Sequence, residues 1–309
     1  MSTRTHPTSE APPSTAPRGG LAAPRPAAPG HGRLRARAVL AAVAKYASLV
    51  VACLCALTPL VTILFAAFKT NAEYRRTGPL QPPADWLHLD NFVTAFQQGG
   101  MLRGFVNTGV ILLVALAGTI VIGSMTAYAV DRFDFRGRSL VLGAFLVATL
   151  VPGVTTQVAT FQVVTGLGLF NTRWSAIVLF MGTDIVSIYI FLQFMRSIPR
   201  SLDEAAMIDG ADRLSIFVRI VFPLLRPAVA TVVIIKGIAI YNEFYLPYLY
   251  MPARELGVIS TSLFRFTGPF GARWEVIAAG TILVIVPTLV AFLLLQRHIY
   301  SGLTSGATK

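Results

Sequence analysis

Residues 201–211 have the sequence Ser-Leu-Asp-Glu-Ala-Ala-Met-Ile-Asp-Gly-Ala, and Phe217, Ile220 and Pro223-Leu224 follow downstream. This polar stretch lies between two long apolar segments. A polar segment in that position is expected where the chain leaves the hydrocarbon core of a membrane and enters water. The stretch therefore predicts an exposed loop between two membrane spans, of a length and regularity that suit contact with another protein.

The composition of the whole chain is that of a membrane protein. Of its 309 residues, 54% are hydrophobic and 13% are charged, and the mean hydropathy is +0.65. A soluble domain carries about 25% charged residues. The apolar residues also fall in long blocks, and a helix needs about 20 of them to cross a bilayer. We therefore predict an all-α integral membrane protein, which excludes an ordinary soluble enzyme.

The apolar blocks predict about six transmembrane helices. The third block contains Val151-Pro152-Gly153, which we expect to kink its helix because proline removes a backbone hydrogen bond. The predicted spans are 46–68, 105–130, 140–164, 174–194, 227–245 and 277–296.

Outside the membrane domain, predicted over residues 41–302, the chain has two tails. Residues 1–40 are rich in Pro, Ala and Arg and cannot bury enough apolar surface to fold, so we predict a disordered basic tail. No aromatic residue is interleaved with its basic positions, which argues against nucleic-acid binding and favours contact with membrane lipid. Residues 303–309 form a short second tail. Cys53 and Cys55 point to different sides of a helix, so we expect no disulfide between them.

The distribution of Lys and Arg predicts the orientation. If the basic tail is cytoplasmic, the inner segments hold about twice as many Lys and Arg residues as the outer ones, as expected for a multi-pass protein of the cell membrane. Both termini and the loop 197–224 are then predicted to lie in the cytoplasm.

Within this loop the sequence predicts two short helices. Ser201 and Glu204 have the spacing of a capping box, so the first helix is expected to start at Leu202. Gly210 is expected to end it in a left-handed conformation, and Asp212 to cap the second. In the second helix one apolar face is expected from Leu214, Phe217, Val218, Val221 and Phe222.

Two interpretations of the loop follow from these residues. Its caps alone would make it an ordinary connection, with Glu204 only a capping residue. Against that, Ala205 and Ala206 form a small-side-chain patch that another backbone can approach closely. Acidic and basic side chains surround the patch, as at the rim of a docking surface: Asp203, Glu204, Asp209, Arg196, Arg200 and Arg213.

The same residues resemble the EAA motif of ABC-importer permeases, at the spacing of carbohydrate permeases similar to the second maltose permease subunit. The matching residues are Glu204, Ala205, Ala206, Asp209, Gly210, Ala211, Phe217, Ile220, Pro223, Leu224 and Pro227. Residues 166–172 and 241–247 extend the resemblance, which covers roughly residues 40–300. The chain departs from the pattern at Phe222, where leucine is common, and at Tyr241, where tryptophan is common.

The resemblance implies a type I importer permease core, with the loop as a coupling helix that seats in a separate ABC ATPase. The coupling residues would be Glu204, Ala205, Ala206, Asp209, Gly210, Ala211 and Pro223. A homologous second permease would complete the translocation path, and an extracellular binding protein would deliver a disaccharide, an oligosaccharide or an amino sugar. The chain has no phosphate-binding loop, so ATP hydrolysis falls to the ATPase. We expect no catalytic residue, metal site or cofactor.

Polar residues inside the spans are candidates for the substrate pathway, because ionisable groups in a membrane are costly. They are Asp184, Lys236, Tyr241, Asn242, Glu243, Tyr245 and Gln157. Hydrogen-bonding groups beside aromatic faces suit sugar hydroxyls and C–H faces. Two structural alternatives remain open, namely an Asp184–Lys236 ion pair and an aromatic belt at the membrane interface.

Three other functions remain to be weighed. A polyamine, phosphate or metal-oxyanion importer would favour clustered charges along the pathway, whereas the charges here are isolated. An ion-coupled secondary transporter would use Asp184, Lys236 and Glu243 as a relay and would need no ATPase. A membrane scaffold without transport activity is disfavoured by the ionisable residues in the spans.

Overall fold

The structure is a computed structural model that describes residues 31–182, 184–269 and 271–305. The predicted tails at 1–30 and 306–309 lie outside these residues. The first helix begins at His31, so residues 31–40, which the composition assigns to the basic tail, are helical.

Helices make up most of the described chain. They are α1 (His31–Phe68), α2 (Asn71–Arg76), α3 (Asp90–Gln98), α4 (Met101–Arg132), α5 (Arg138–Leu150), α6 (Gln157–Gly166), α7 (Arg173–Gly182), α8 (Ile185–Met195), α9 (Ser201–Ile208), α10 (Arg213–Ile216), α11 (Phe222–Leu224), α12 (Arg226–Asn242), α13 (Tyr245–Tyr250), α14 (Ile259–Ser262) and α15 (Trp274–Ser305). A π-helical turn spans Phe217–Val221, and 3₁₀ turns span Arg254–Leu256 and Leu263–Phe266. The all-α prediction is confirmed, with one small addition: β1 (Thr267–Gly268) and β2 (Gly271–Ala272) form an antiparallel hairpin.

Among the described residues, two single helices and two bent pairs are long and apolar enough to cross a membrane, and they overlap the first, second, fourth and fifth predicted spans; Arg138–Leu150 and Trp274–Val290, over the third and sixth, are shorter apolar helices. Val39–Phe68 and Met101–Arg132 qualify as single helices. Two further pairs qualify only as bent spans: α7 with α8, and the segment Arg213–Leu224 with α12, which meet at 71°. The third predicted span is interrupted rather than only kinked at Val151-Pro152-Gly153, since α5 ends at Leu150 and α6 begins at Gln157.

The break in the fourth span was not predicted. Asp184 leaves the helical conformation with ψ of 69° just before α8. Its carboxylate accepts a hydrogen bond from the hydroxyl of Ser187, one turn into α8. This bond gives the carboxylate of Asp184 a hydrogen-bond partner inside an apolar segment, where an unpartnered charge would be costly.

Residues 57–305 belong to one compact unit, and α4 lies at its centre, where it packs against α7, α8, α12 and α14. Gly123 makes this packing close, because a Cβ there would lie 3.1 Å from the ring of Phe191. The preceding part of the chain belongs to a separate unit that ends at Ala56, and its α1 side chains from Val39 onward are exposed.

Candidate functional site

The first helix of the loop 197–224 is α9. The capping box predicted for this helix is wrong. Ser201 is the first residue of the helix, and Arg200 precedes it without a side-chain cap. The backbone supplies the acceptors instead, since Asp203 N bonds Arg200 O at 3.0 Å and Leu202 N bonds Pro199 O at 3.3 Å. With these amides satisfied by carbonyls, the serine hydroxyl is not needed as an acceptor.

Gly210 ends α9 as predicted. Its φ of +82° is left-handed, and Ala211 N donates to Ala206 O at 2.9 Å while Gly210 N donates to Met207 O at 3.1 Å. These bonds satisfy carbonyls at the end of α9 that would otherwise lack partners. The chain therefore turns sharply at a residue that tolerates the conformation without strain.

Asp212 starts the second helix of the loop, also as predicted. Its carboxylate accepts from Leu214 N at 3.2 Å. The hydrogen bond from the hydroxyl of Ser215 is the main cause that lowers the pKa of the Asp212 carboxyl below its ordinary value.

The predicted apolar face of this second helix is only partly correct. Phe217 and Val221 are buried, whereas Leu214 and Val218 are 60% and 52% exposed. The π-helical turn Phe217–Val221 inserts an extra residue per turn, so the 3.6-residue spacing used for the prediction no longer aligns these side chains.

The side chains of α9 divide into two sets. Asp203 and Ala206 are buried in the protein. The exposed set consists of Ser201, Leu202, Glu204, Ala205, Met207 and Ile208, and the exposed Asp209 follows directly. Ile208 is 87% exposed, although an isoleucine is usually buried. The helix therefore presents an apolar tip flanked by two acidic side chains, here called the α9 face.

A buried charge cluster holds α9 against the end of α4. Arg132 Nε lies 2.6 Å from Asp203 Oδ2, and Arg132 Nη1 lies 3.0 Å from Asp131 Oδ2. Arg132 Nη2 donates to Ile198 O at 2.9 Å, and Arg200 adds a bond to the backbone carbonyl of Asp131. We call Asp131, Arg132 and Asp203 the inner clamp.

The inner clamp was not predicted from the sequence. The available signal was an adjacent Asp-Arg pair at the end of an apolar helix, with an unmatched acid in the loop. Nothing in the spacing shows that these groups, separated by some 70 residues, meet.

A second set of contacts joins α4 to the start of α10. Tyr128 OH lies 3.4 Å from Arg213 O, and the guanidinium of Arg213 lies 5.4 Å from the ring centre of Phe133. The rings of Tyr128 and Phe217 are 5.1 Å apart. The end of α4 therefore contacts both helices of the loop.

Two of the pathway candidates form an ion pair. Lys236 Nζ lies 3.5 Å from Asp184 Oδ2, with side-chain exposures of 20% and 10%. Asp184 sits at the break between α7 and α8, and Lys236 lies within α12. The structural alternative of an Asp184–Lys236 ion pair is therefore observed.

The other pathway candidates fall in different places. Tyr241 OH donates to Val284 O at 2.9 Å and so bonds α15. Glu243 Oε1 accepts from the backbone of Tyr245 at 2.9 Å and therefore orders the start of α13. Asn242 is exposed, with Nδ2 bonded to Ile238 O at 3.0 Å. Tyr245 OH donates to Gln157 Oε1, which brings two of the candidates together.

Beside Tyr245 lies an exposed aromatic cluster. Phe244 and Tyr248 stack with centroids 5.2 Å apart, and Phe264 meets Tyr248 edge-on at 5.3 Å. Tyr248 and Phe264 are 49% and 48% exposed. This cluster joins α13 to the segment that follows α14.

The amino-terminal part of α4 contacts residues 255–259, which precede and begin α14. Asn107 Nδ2 donates to Glu255 O and Gly257 O, each at 2.9 Å. Arg173 Nε donates to Asn107 Oδ1 at 2.9 Å, and Ile259 N donates to Thr108 Oγ1 at 3.0 Å. These bonds tie residues 255–259 to α4.

Comparison with known proteins assigns the family. The model of the binding-protein-dependent transport system inner membrane component matches residues 119–304, which include the whole loop and both ends of the ion pair. The chain belongs to this family. The resemblance based on the EAA motif is thereby confirmed, and this family member is a multi-pass membrane transport protein.

Individual relatives match most of the chain. The arabinooligosaccharides transport system permease protein AraQ of Halalkalibacterium halodurans is 29% identical over 82% of this chain and 91% of its own length. The galactooligosaccharides transport system permease protein GanQ of Bacillus subtilis is 31% identical over 81% and 89%.

A solved structure has the same fold. The chain resembles part of a bacterial ABC transporter involved in the import of the acidic polysaccharide alginate, with a TM-score of 0.73 at 20% identity. The match covers 87% of this chain and 99% of that one. The two chains therefore share a fold.

Proposed function

We propose that the chain is one of two permease subunits of an ATP-driven sugar importer. A homologous second permease completes the pathway, a separate ABC ATPase dimer binds the α9 face and hydrolyses ATP, and an extracellular binding protein delivers the sugar. Both termini lie in the cytoplasm in this proposal, as the Lys and Arg distribution favours.

The observation that carries the proposal is the division of α9 into a buried and an exposed set. Asp203 and Ala206 fasten the helix to the protein, and Ile208 projects with 87% of its surface exposed. Ile208 is the most exposed of three large apolar side chains on α9, beside Leu202 at 41% and Met207 at 37%, and such a projecting apolar side chain is suited to fill a pocket on a partner. Glu204 and Asp209 place negative charge around that anchor, so basic side chains should border an apolar pocket on the partner.

The other coupling candidates hold the α9 face in position and do not form part of its exposed surface. Gly210 sets the direction in which the chain leaves α9, and Ala206 packs in the core cluster that contains Phe217. Ala211 and Pro223 are half-buried. Glu204, Ala205 and Asp209 remain for direct contact with the ATPase, joined by Ile208, which the motif did not single out.

Sugar is the substrate class that the relatives and the exposed groups favour together. AraQ and GanQ are named for oligosaccharides. Tyr245 and Gln157 offer a hydroxyl and an amide group near the aromatic cluster of Phe244, Tyr248 and Phe264, and Asn242 is exposed at the end of α12. Such groups complement both the hydroxyls and the apolar faces of a sugar ring.

The ion pair argues against an ion-coupled relay. Lys236 and Asp184 compensate each other's charge at 3.5 Å, and an ion-coupled mechanism would have to break this pair in every cycle. Separating a partly desolvated pair leaves two costly charges in the membrane. We therefore assign the pair to the support of the broken fourth span.

Uptake into proteoliposomes tests the proposal. The complete transporter, purified from its host with its ATPase, second permease and binding protein, is reconstituted with ATP inside or outside and offered labelled arabinotriose and galactotriose. We expect uptake of at least one probe only when ATP is on the side of the ATPase. Uptake driven by a proton or sodium gradient without ATP, or no uptake of either sugar by a transporter that imports putrescine or phosphate, would overturn it.

A further inference from the structure

The contacts at the two ends of α4 carry an inference about how the importer works, and it rests on the function proposed above. One helix contacts the buried side of α9 at its inner end and residues 255–259 at its outer end. Since a helix rises 1.5 Å per residue, the 32 residues of α4 span about 48 Å. We propose that α4 carries the movement of the ATPase dock to the outer mouth of the pathway, and that Arg132 is the positioning residue that fastens the dock to it.

The inner clamp is built to resist separation. Arg132 uses three nitrogens on three partners, namely Asp203, Asp131 and the carbonyl of Ile198, at 2.6, 3.0 and 2.9 Å. The arginine and both acids are buried. Pulling α9 away from α4 would leave a buried charge without its counter-ion, which is far more costly than breaking an exposed pair. The first turn of α9 and the last turn of α4 therefore move together.

The outer end of α4 is also held in place, here by hydrogen bonds from a side chain to backbone carbonyls. Asn107 is fully buried and holds the carbonyls of Glu255 and Gly257 as well as Arg173. Gly104 lets the same segment approach, because a Cβ there would lie 3.3 Å from the Cα of Ile259. Residues 255–259 must therefore follow any tilt of α4.

The neighbouring spans are less suited to this task. The third is interrupted between Leu150 and Gln157, and the fourth is interrupted at Asp184. The fifth leaves the loop at an angle of 71°. In contrast, α4 contains no proline and runs unbroken from one set of contacts to the other. A displacement applied at a break is absorbed locally, whereas a continuous helix passes it on.

The segment moved at the outer end borders the aromatic cluster. Residues 255–259 continue through α14 into Phe264, whose ring contacts Phe244 and Tyr248. A shift of Asn107 would therefore change the exposure of Tyr248. This gives a reporter that does not depend on knowing the sugar.

The test uses an impermeant maleimide and a single cysteine. In the complete transporter, Tyr248→Cys is introduced together with Cys53→Ser and Cys55→Ser, and its labelling rate is measured with and without ATP plus vanadate. We expect about a fivefold change in rate on addition of ATP and vanadate, in the usual range of coupling between distant sites. If the labelling rate of this chain is the same with and without ATP plus vanadate, the inference is overturned.

Two clamp variants and one control are then compared in the same background. Asp203→Asn removes one charge with little change in shape. The combination of Asp131→Asn, Arg132→Met and Asp203→Leu removes the cluster without leaving a buried charge, a kind of replacement that is often neutral for folding. Asp134→Asn is the matched control. Asp134 lies two residues after Arg132 in the chain, but its side chain is 86% exposed.

The inference predicts that both clamp variants keep the ATPase bound and hydrolysing ATP while the labelling response falls to less than about twofold, with the control unchanged. A full response in the clamp-free combination would overturn it. Loss of ATPase binding in the clamp variants would also overturn it, since the clamp would then serve only the dock. Failure of the native chain to bind an ATPase would instead contradict the proposed function.

Discussion

Lys236 Nζ lies 3.5 Å from Asp184 Oδ2 across the interface of α12 with the break between α7 and α8. Lys236→Met should leave the Asp184 carboxylate without its counter-ion and lower the free energy of unfolding by about 2 kcal/mol, less than for a fully buried pair because the lysine is partly exposed. Thermal unfolding in detergent measures this change.

The double change Lys236→Met with Asp184→Asn is the control for that prediction. Removing both charges should recover most of the lost stability. If Lys236→Met is as stable as the native chain, or if the double variant is the less stable of the two, the ion pair does not support the broken span.

Gly210 provides a test of the turn that orients the α9 face. Because its φ is +82°, Gly210→Ala should cost about 1 kcal/mol of stability and weaken ATPase binding, although nothing lies within 4 Å of the added methyl. Gly143 is the matched control, since it also lies in open space but within α5.

Gly143→Ala should be neutral or stabilising by a few tenths of a kcal/mol, because alanine is the better helix former. Unfolding midpoints and co-purification of the ATPase give the comparison. Equal effects of the two substitutions would show that the left-handed turn is not the reason for the glycine at 210.

Tyr245 and Tyr241 make different contacts and should give different phenotypes. Tyr245→Phe removes the hydroxyl that meets Gln157 at the exposed surface, so it should raise the KM for uptake several-fold with little change in stability. Tyr241→Phe removes the bond to Val284 O and should cost about 1 kcal/mol of stability with an unchanged KM.

Uptake at varied sugar concentration and thermal unfolding separate the two variants. A normal KM in Tyr245→Phe would assign Tyr245 to an aromatic belt at the membrane interface. A raised KM in Tyr241→Phe would place that residue in the pathway after all.

Local patterns in the sequence were enough for much of the fold. Apolar blocks located the spans, Val151-Pro152-Gly153 marked a break, and Gly210 and Asp212 marked the turn and the second helix of the loop. Each of these features depends on neighbouring residues, so a single sequence contains the information.

Features that depend on tertiary contacts were not predictable in this way. The Arg132–Asp203 pair joins groups far apart in the chain, and the π-helical turn at Phe217–Val221 changes a register that sequence spacing assumes to be regular. The capping box failed for a similar reason, because the preceding backbone took the role assigned to Ser201. Tyr241 was matched to a pathway by residue type, whereas its hydroxyl bonds Val284.

The central claim is that the α9 face binds the ATPase, and Ile208→Glu tests it most directly. The exposed side chain should tolerate the change in the free chain, but a charge placed in an apolar pocket should abolish binding. Leu87→Glu is the matched control, because Leu87 is 83% exposed and Ile208 is 87% exposed. Co-purification of the ATPase from membranes should be lost in Ile208→Glu and normal in Leu87→Glu; normal co-purification in Ile208→Glu would contradict the account.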